Sequence, residues 1–200
     1  YLFKTFNGID AIYKFGSDDF DISIEGYYGE ESGSIGIGSF KTGFEVDNLV
    51  GVIGKLNIEN IEFRASRYNG NIALDLKSIN QLQDILENFN FSQSAASLTT
   101  QGSAHADQFG VIYDNLDYFF RGEWVKIKTQ LDIIPIIQSY YLTVGYNDAP
   151  FTYHLTFADS DVEINANQNE IPIGANEELD KLAQAYNSVF AESAPDSLKT

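Results

Sequence analysis

The sequence predicts an all-β fold, a transmembrane antiparallel up-and-down β-barrel segment of about eight strands belonging to a larger wall of roughly sixteen, with short helices in its outer loops. Three observations predict it. Apolar and polar residues alternate with period two over most of the chain, tight and long connections alternate, and aromatic residues bracket the tight turns. The whole of 1–200 is expected to be a single partial barrel domain, with no linker, low-complexity tract or longer repeat to divide it.

The alternation is clearest in 19–29, where Phe20, Ile22, Ile24, Gly26 and Tyr28 oppose Asp21, Ser23, Glu25 and Tyr27. It recurs in 138–146 (Tyr140, Leu142, Val144 and Tyr146 on one face) and in 151–158 (Phe151, Tyr153, Leu155 and Phe157). Weaker copies run through 8–16, 46–58, 61–69, 105–113 and 118–128.

Tight turns of Asp, Asn, Gly and Pro are expected at 16–19, 59–60, 114–117 and 147–150, because these residues tolerate turn geometry. The connections between them, 30–45, 70–104, 129–137 and 159–197, are read as long. Two carry helical patterns. In 78–90, Ser78 with Gln81 resembles a capping box ahead of the stripe Ile79, Leu82, Ile85, Leu86 and Phe89. In 176–190, Asn176 is placed to cap a helix whose first turn holds Glu177 and Glu178, with Leu179, Leu182, Ala183, Tyr186 and Phe190 on one stripe. Both helices then lie on the long-loop side.

Phe15 and Phe20, Tyr113 and Tyr118, and Tyr146 and Phe151 flank three of the tight turns, as an interfacial aromatic girdle would. On the polar faces, Glu62 with Arg64 and Arg121 with Glu123 form mid-strand ionisable pairs that a water-filled lumen accommodates. Together with Asp21, Glu25 and His154 they are the expected lumen-lining set.

The formal charge of −17 argues against nucleic acid as a partner, since phosphate neutralisation needs clustered Lys and Arg. There is no cysteine, so no disulfide framework or thiolate site is available. Apolar stretches fall short of the ~20 residues of a membrane helix, which leaves any spanning role to strands. The chain opens mid-pattern at Tyr1-Leu2-Phe3-Lys4 without Met, so a processed or partial chain is expected.

The run Phe109-Gly110-Val111-Ile112-Tyr113-Asp114-Asn115, then Arg121-Gly122-Glu123-Trp124 and Tyr140 to Tyr146, resembles the strand-turn-strand core of proteobacterial outer-membrane porins of the phosphate-selective and general type. Asn48 to Val52 leading to Phe63-Arg64-Ala65-Ser66, and Phe6 to Asp10 with Tyr13, are similar to earlier hairpins of such proteins. The resemblance implies a channel in the outer membrane of a Gram-negative bacterium, in contact with outer-membrane lipid and passing small hydrophilic solutes or ions. It leaves the assembly open, with a homotrimer among the options. The chain lacks the basic cluster that a phosphate channel would use and a terminal strand ending in an aromatic residue.

No enzyme activity and no cofactor are implied, because neither His105 nor His154 has a partner motif. Asp159, Asp161, Glu163, Asn165, Asn167 and Glu170 sit at the offsets of a calcium loop, but Ile164 stands where its sharp turn wants Gly, so Asp159, Asp161 and Glu163 are at most a weak calcium site. They are read instead as an acidic outer loop with Glu170, Glu177, Glu178 and Asp180, whose field would favour cations at the opening. The Gly33–Gly38 run is read as a flexible outer loop. The alternatives are a soluble or surface β-sheet protein binding a glycan or calcium through acidic loops, and a complete small eight-strand barrel.

Overall fold

The computed structural model describes residues 3–37, 40–163 and 169–193. Eight antiparallel strands follow one another in chain order across a single sheet: β1 (Phe3–Gly16), β2 (Phe20–Ile37), β3 (Phe40–Ile58), β4 (Ile61–Leu74), β5 (Gln101–Asp114), β6 (Tyr118–Thr129), β7 (Ile136–Asp148) and β8 (Phe151–Glu163). Helices α1 (Lys77–Asn88) and α2 (Ser92–Ala96) join β4 to β5, and α3 (Glu177–Ser193) follows β8. The expected meander and all four tight turns are present. Among the described residues β1 and β8 pair with one neighbour each and not with one another, so the sheet is open at both edges.

The turns are held by their own side chains. At 115–117, Asp114 Oδ1 accepts from the Leu116 amide at 3.0 Å and Asn115 Oδ1 from the Tyr118 amide at 2.7 Å. Leu116 adopts φ 76° there and is 83% exposed. Glu59, in the two-residue turn, has φ 49°, the sign that the tightest hairpin turns require.

The strands are longer than their alternation suggested, chiefly at the end away from the tight turns, although β5 and β7 also gain Asp114 and Asn147–Asp148 at the turn end. The stretch 30–45 is not a long loop but the far half of the β2–β3 hairpin, and Gly33 to Ile37 pair within it; Gly38 lies outside the described residues. The residues Phe3 to Phe6, which look like the tail of an earlier strand, belong to β1 itself. Two physical causes hid these halves. β3 carries a bulge at Asp47–Leu49, where Asn48 sits at φ 52°, and the extra residue shifts the period-two phase. In addition the faces exchange polarity along the strand.

Registers define the two faces. On the back face lie Tyr13 and Phe15, Phe20 to Tyr28 by alternate residues, Val50 and Val52, Phe63, Phe109, Trp124, and the alternating sets of β7 and β8. This is a continuous apolar band. Of the large exposed hydrophobic side chains within strands among the described residues, all but Ile12, Ile112, Ile127 and Tyr141 belong to it, with Ile9 and Leu155 each 74% exposed. From Phe151 to Phe157 the band covers about 20 Å of strand at ~3.3 Å per residue. The bracketing aromatics form its border at the turn end, where the Tyr118 and Tyr146 rings lie 4.9 Å apart.

Beyond the band the polarity inverts. The back face becomes charged, with Arg67 bridging Asp107 at 3.6 Å. The front face becomes apolar, and Phe44, Val46, Ile72 and Leu74 pack there into a core with Leu86, Ala95, Leu98, Leu131, Ile133, Ile134, Ile171, Leu182, Ala183, Tyr186 and Phe190. The helices and the β6–β7 connection therefore cap the front face at the loop end, and neither predicted helix crosses the apolar band.

In α3 the Asn176 Oδ1 accepts from the Leu179 amide at 2.9 Å, and the predicted stripe meets the core. The α1 capping box does not form. The N-cap is Leu76, two residues ahead of Ser78 and with no side-chain cap, because Leu76 is drawn into the core beside Ile79 and Leu82. Ile85 and Phe89 of the expected stripe stay exposed.

Candidate functional site

Side chains from eight strands share the front face, and cross-strand pairing stacks them in rows. Nearest the tight turns, Asp21, Asn57, Glu62, Ile112 and Arg121 form one row. The next holds Lys14, Ser23, Lys55, Arg64, Gly110, Glu123 and Tyr141. Above it come Ile12, Glu25, Ile53, Ser66, Gln108, Val125 and Ser139, then Asp10, Tyr27, Gly51, Tyr68, Ala106 and Ile127. His154 pairs Gly145 on the same face, closer to the turns. All seven expected lumen residues, Asp21, Glu25, Glu62, Arg64, Arg121, Glu123 and His154, thus fall on one face.

Their partners differ from the expected ones. Glu62 and Arg64, like Arg121 and Glu123, are two residues apart on one strand, about 6.6 Å at ~3.3 Å rise, and no ion pair joins either couple among the described residues. Arg121 instead lies 4.0 Å from Asp114 and over the Phe119 ring at 5.1 Å. Glu123 accepts from Gln108 Nε2 at 2.5 Å and from the Tyr141 hydroxyl at 3.2 Å, while the Ser66 hydroxyl donates to Gln108 Oε1 at 3.1 Å. A polar chain therefore runs across β4, β5, β6 and β7.

Lys14, Lys55, Asp10, Gln108 and Tyr141 escaped the sequence reading. Lys55 pairs Arg64 directly and Ser23 separates it from Lys14, so register brings three basic residues of separate strands into one row. Counting outward from the tight turns, Gly16 opposite Asp21 and Ile58 opposite Ile61, would have found that row. Arg64 Nε is buried without a hydrogen-bond partner among the described residues.

Two rings lie flat over glycines of the same rows. A Cβ built on Gly51 would stand 2.2 Å from Tyr27 Cζ, and one on Gly145 would stand 2.0 Å from Phe119 Cζ. Such rings cover the wall rather than project from it.

The acidic outer set is divided by the fold. Asp159, Asp161 and Glu163 are not in a loop but in β8, alternating onto the back face in line with Phe157. They therefore do not face the side that holds the charged rows. Glu170 is engaged elsewhere: its Oε2 accepts from the Gln93 and Ser94 amides at 2.7 and 3.2 Å, at the start of α2. Glu177 pairs Lys181 at 2.6 Å, Asp180 accepts from the Gly174 amide at 2.6 Å, and Glu178 lies in the same first turn of α3. Among the described residues no group of three or more potential ligands is gathered for a metal; Asn165 and Asn167 lie outside them.

The fold is thus an antiparallel up-and-down sheet with one exposed apolar face bordered by aromatics and one face of charged and hydroxylic rows. No protein-family model and no curated protein matches the chain. A solved porin structure is similar at a TM-score of 0.42 and 12% identity, over 78% of this chain and 57% of that one. This chain spans little more than half the length of that porin.

Proposed function

We propose that this chain forms part of the wall of an outer-membrane channel that lets small hydrophilic solutes or ions diffuse passively, with the back face against lipid and the front face toward water. The observation that carries it is the back-face band, an exposed apolar surface running across the sheet and bordered by aromatic rows. Exposed patches of that extent mark a membrane or partner surface. A front face that stays polar over the same depth supplies the complementary lumen.

Unpaired strand edges are costly in lipid, so β1 and β8 require partner strands, and a wall of about sixteen strands would provide them. Lumen selectivity then falls to Asp21, Glu25, Glu62, Arg64, Arg121, Glu123 and His154, joined by Lys14 and Lys55. Assembly as a homotrimer is compatible with this wall. The reading assigns no catalytic step.

The test is planar-bilayer recording of the purified protein under a KCl gradient. Stepwise conductance is expected, with Lys14→Gln and Lys55→Gln moving the reversal potential toward cation preference. A protein that is monodisperse without detergent and never conducts would instead be a soluble sheet.

A further inference from the structure

Where the charged rows meet the helical cap, the front face forms an open cavity of about 800 Å³. Its lining includes the carboxylates of Asp10, Glu25 and Glu31, the rings of Tyr27 and Tyr68, and the apolar side chain of Leu49. Space for it exists because Ala104 and Ala106 stand where larger residues would fill the face, while Val46 packs over Gly70. The Tyr27 ring covers Gly51 and Tyr68 pairs that glycine from the strand on its other side, with ring centroids 5.8 Å apart.

We infer that this cavity binds an organic cation with an aromatic or aliphatic body, its ammonium or guanidinium group held by Asp10 and Glu25, diagonal neighbours across β1 and β2, and its body against Tyr27 and Tyr68. Four features select that class. The lining holds three carboxylates against one imidazole, that of His105, and no Lys or Arg. No ion pair engages those carboxylates among the described residues, and the basic row of Lys14 and Lys55 lies on the turn side, below Glu25. The lining is otherwise mainly apolar, which strengthens the attraction between a carboxylate and a cation beyond its value in open water. Tyrosine rings favour a cation over their faces by electrostatic attraction and accept an apolar body equally well. An anion would meet three like charges, and a neutral polar solute would lose hydration to the apolar wall.

The inference rests on the front face being accessible to solutes, as in the channel reading, and not on conduction itself. The probes are 2-phenylethylammonium, neutral 2-phenylethanol and anionic 3-phenylpropanoate, titrated calorimetrically into the protein in nonionic detergent at low salt. The ammonium is expected to bind at least 10-fold more tightly than the alcohol, with no measurable anion binding. Asp10→Asn with Glu25→Gln should bring ammonium and alcohol to equal affinity, and 1 M KCl should narrow the gap in the unaltered protein. Tyr68→Leu should weaken both probes several-fold. Equal affinities in the unaltered protein, or a preference untouched by both the carboxylate variant and salt, would overturn the site. Conduction without ammonium binding overturns this site and leaves the channel standing; ammonium binding without conduction supports the site and removes the channel.

Discussion

At the scale of residues, two positions show what the backbone demands. Gly145 lies beneath the Phe119 ring, so a methyl group there has to displace the ring from the wall. Gly145→Ala is expected to cost about 1–3 kcal/mol, the usual range for overpacking. Adding Phe119→Ala should recover part of that loss, giving a non-additive double-mutant cycle by urea unfolding. Leu116 is the opposite case, a side chain in a left-handed conformation with little to pack against. Leu116→Asn should stabilise by about 0.5–1 kcal/mol in the same assay, because Asn tolerates that region more readily.

At the scale of elements, α2 is too short to stand alone and is anchored at both ends. Glu170 accepts from its first amides, while the Ser94 hydroxyl accepts from the Glu170 amide at 2.9 Å and Ser97 shares a buried 2.6 Å hydrogen bond with Tyr186 of α3. Glu170→Ala is expected to cost the cap about 1 kcal/mol, seen as faster amide exchange over α2 with the strands unchanged. The β6–β7 connection adds a pH dependence. Asp132 sits between the buried Leu131 and Ile133, and burial raises its carboxyl above the ordinary range. The folded connection therefore holds this proton to higher pH than the unfolded chain does. The stability from this group is fully present below the ordinary carboxylate range and is lost as pH rises through the raised value. Exchange protection of the connection should fall over that interval, and Asp132→Asn should flatten the profile.

At the scale of the whole molecule, the two faces make opposite demands on the same substitution. Leu155 and Thr156 are neighbours in β8, both exposed, on the back and front faces respectively. In a bilayer, Leu155→Arg should cost about 2–4 kcal/mol if it lies near the midplane, and Thr156→Arg little, measured by urea-dependent refolding into vesicles. Nearly equal small effects would describe a sheet with water on both sides.

Period-two alternation and turn chemistry determined the strand-turn-strand order, the four tight turns and the shared face of the seven expected lumen residues, because these depend on neighbours in the chain. The Asn176 cap and the α3 stripe were legible for the same reason. Three things waited for the tertiary structure. The Lys14, Lys55 and Arg64 row depends on register between strands, which no single strand encodes. The outer halves of the strands were hidden because a bulge in β3 resets its phase and the cap's core reverses which face is apolar. The acids of β8 read as a loop for that second reason: beyond the band the back face is polar, so Asp159, Asp161 and Glu163 continue the strand while the band's apolar signal stops. Alternation reports a contrast between two faces, and only packing decides what each face meets.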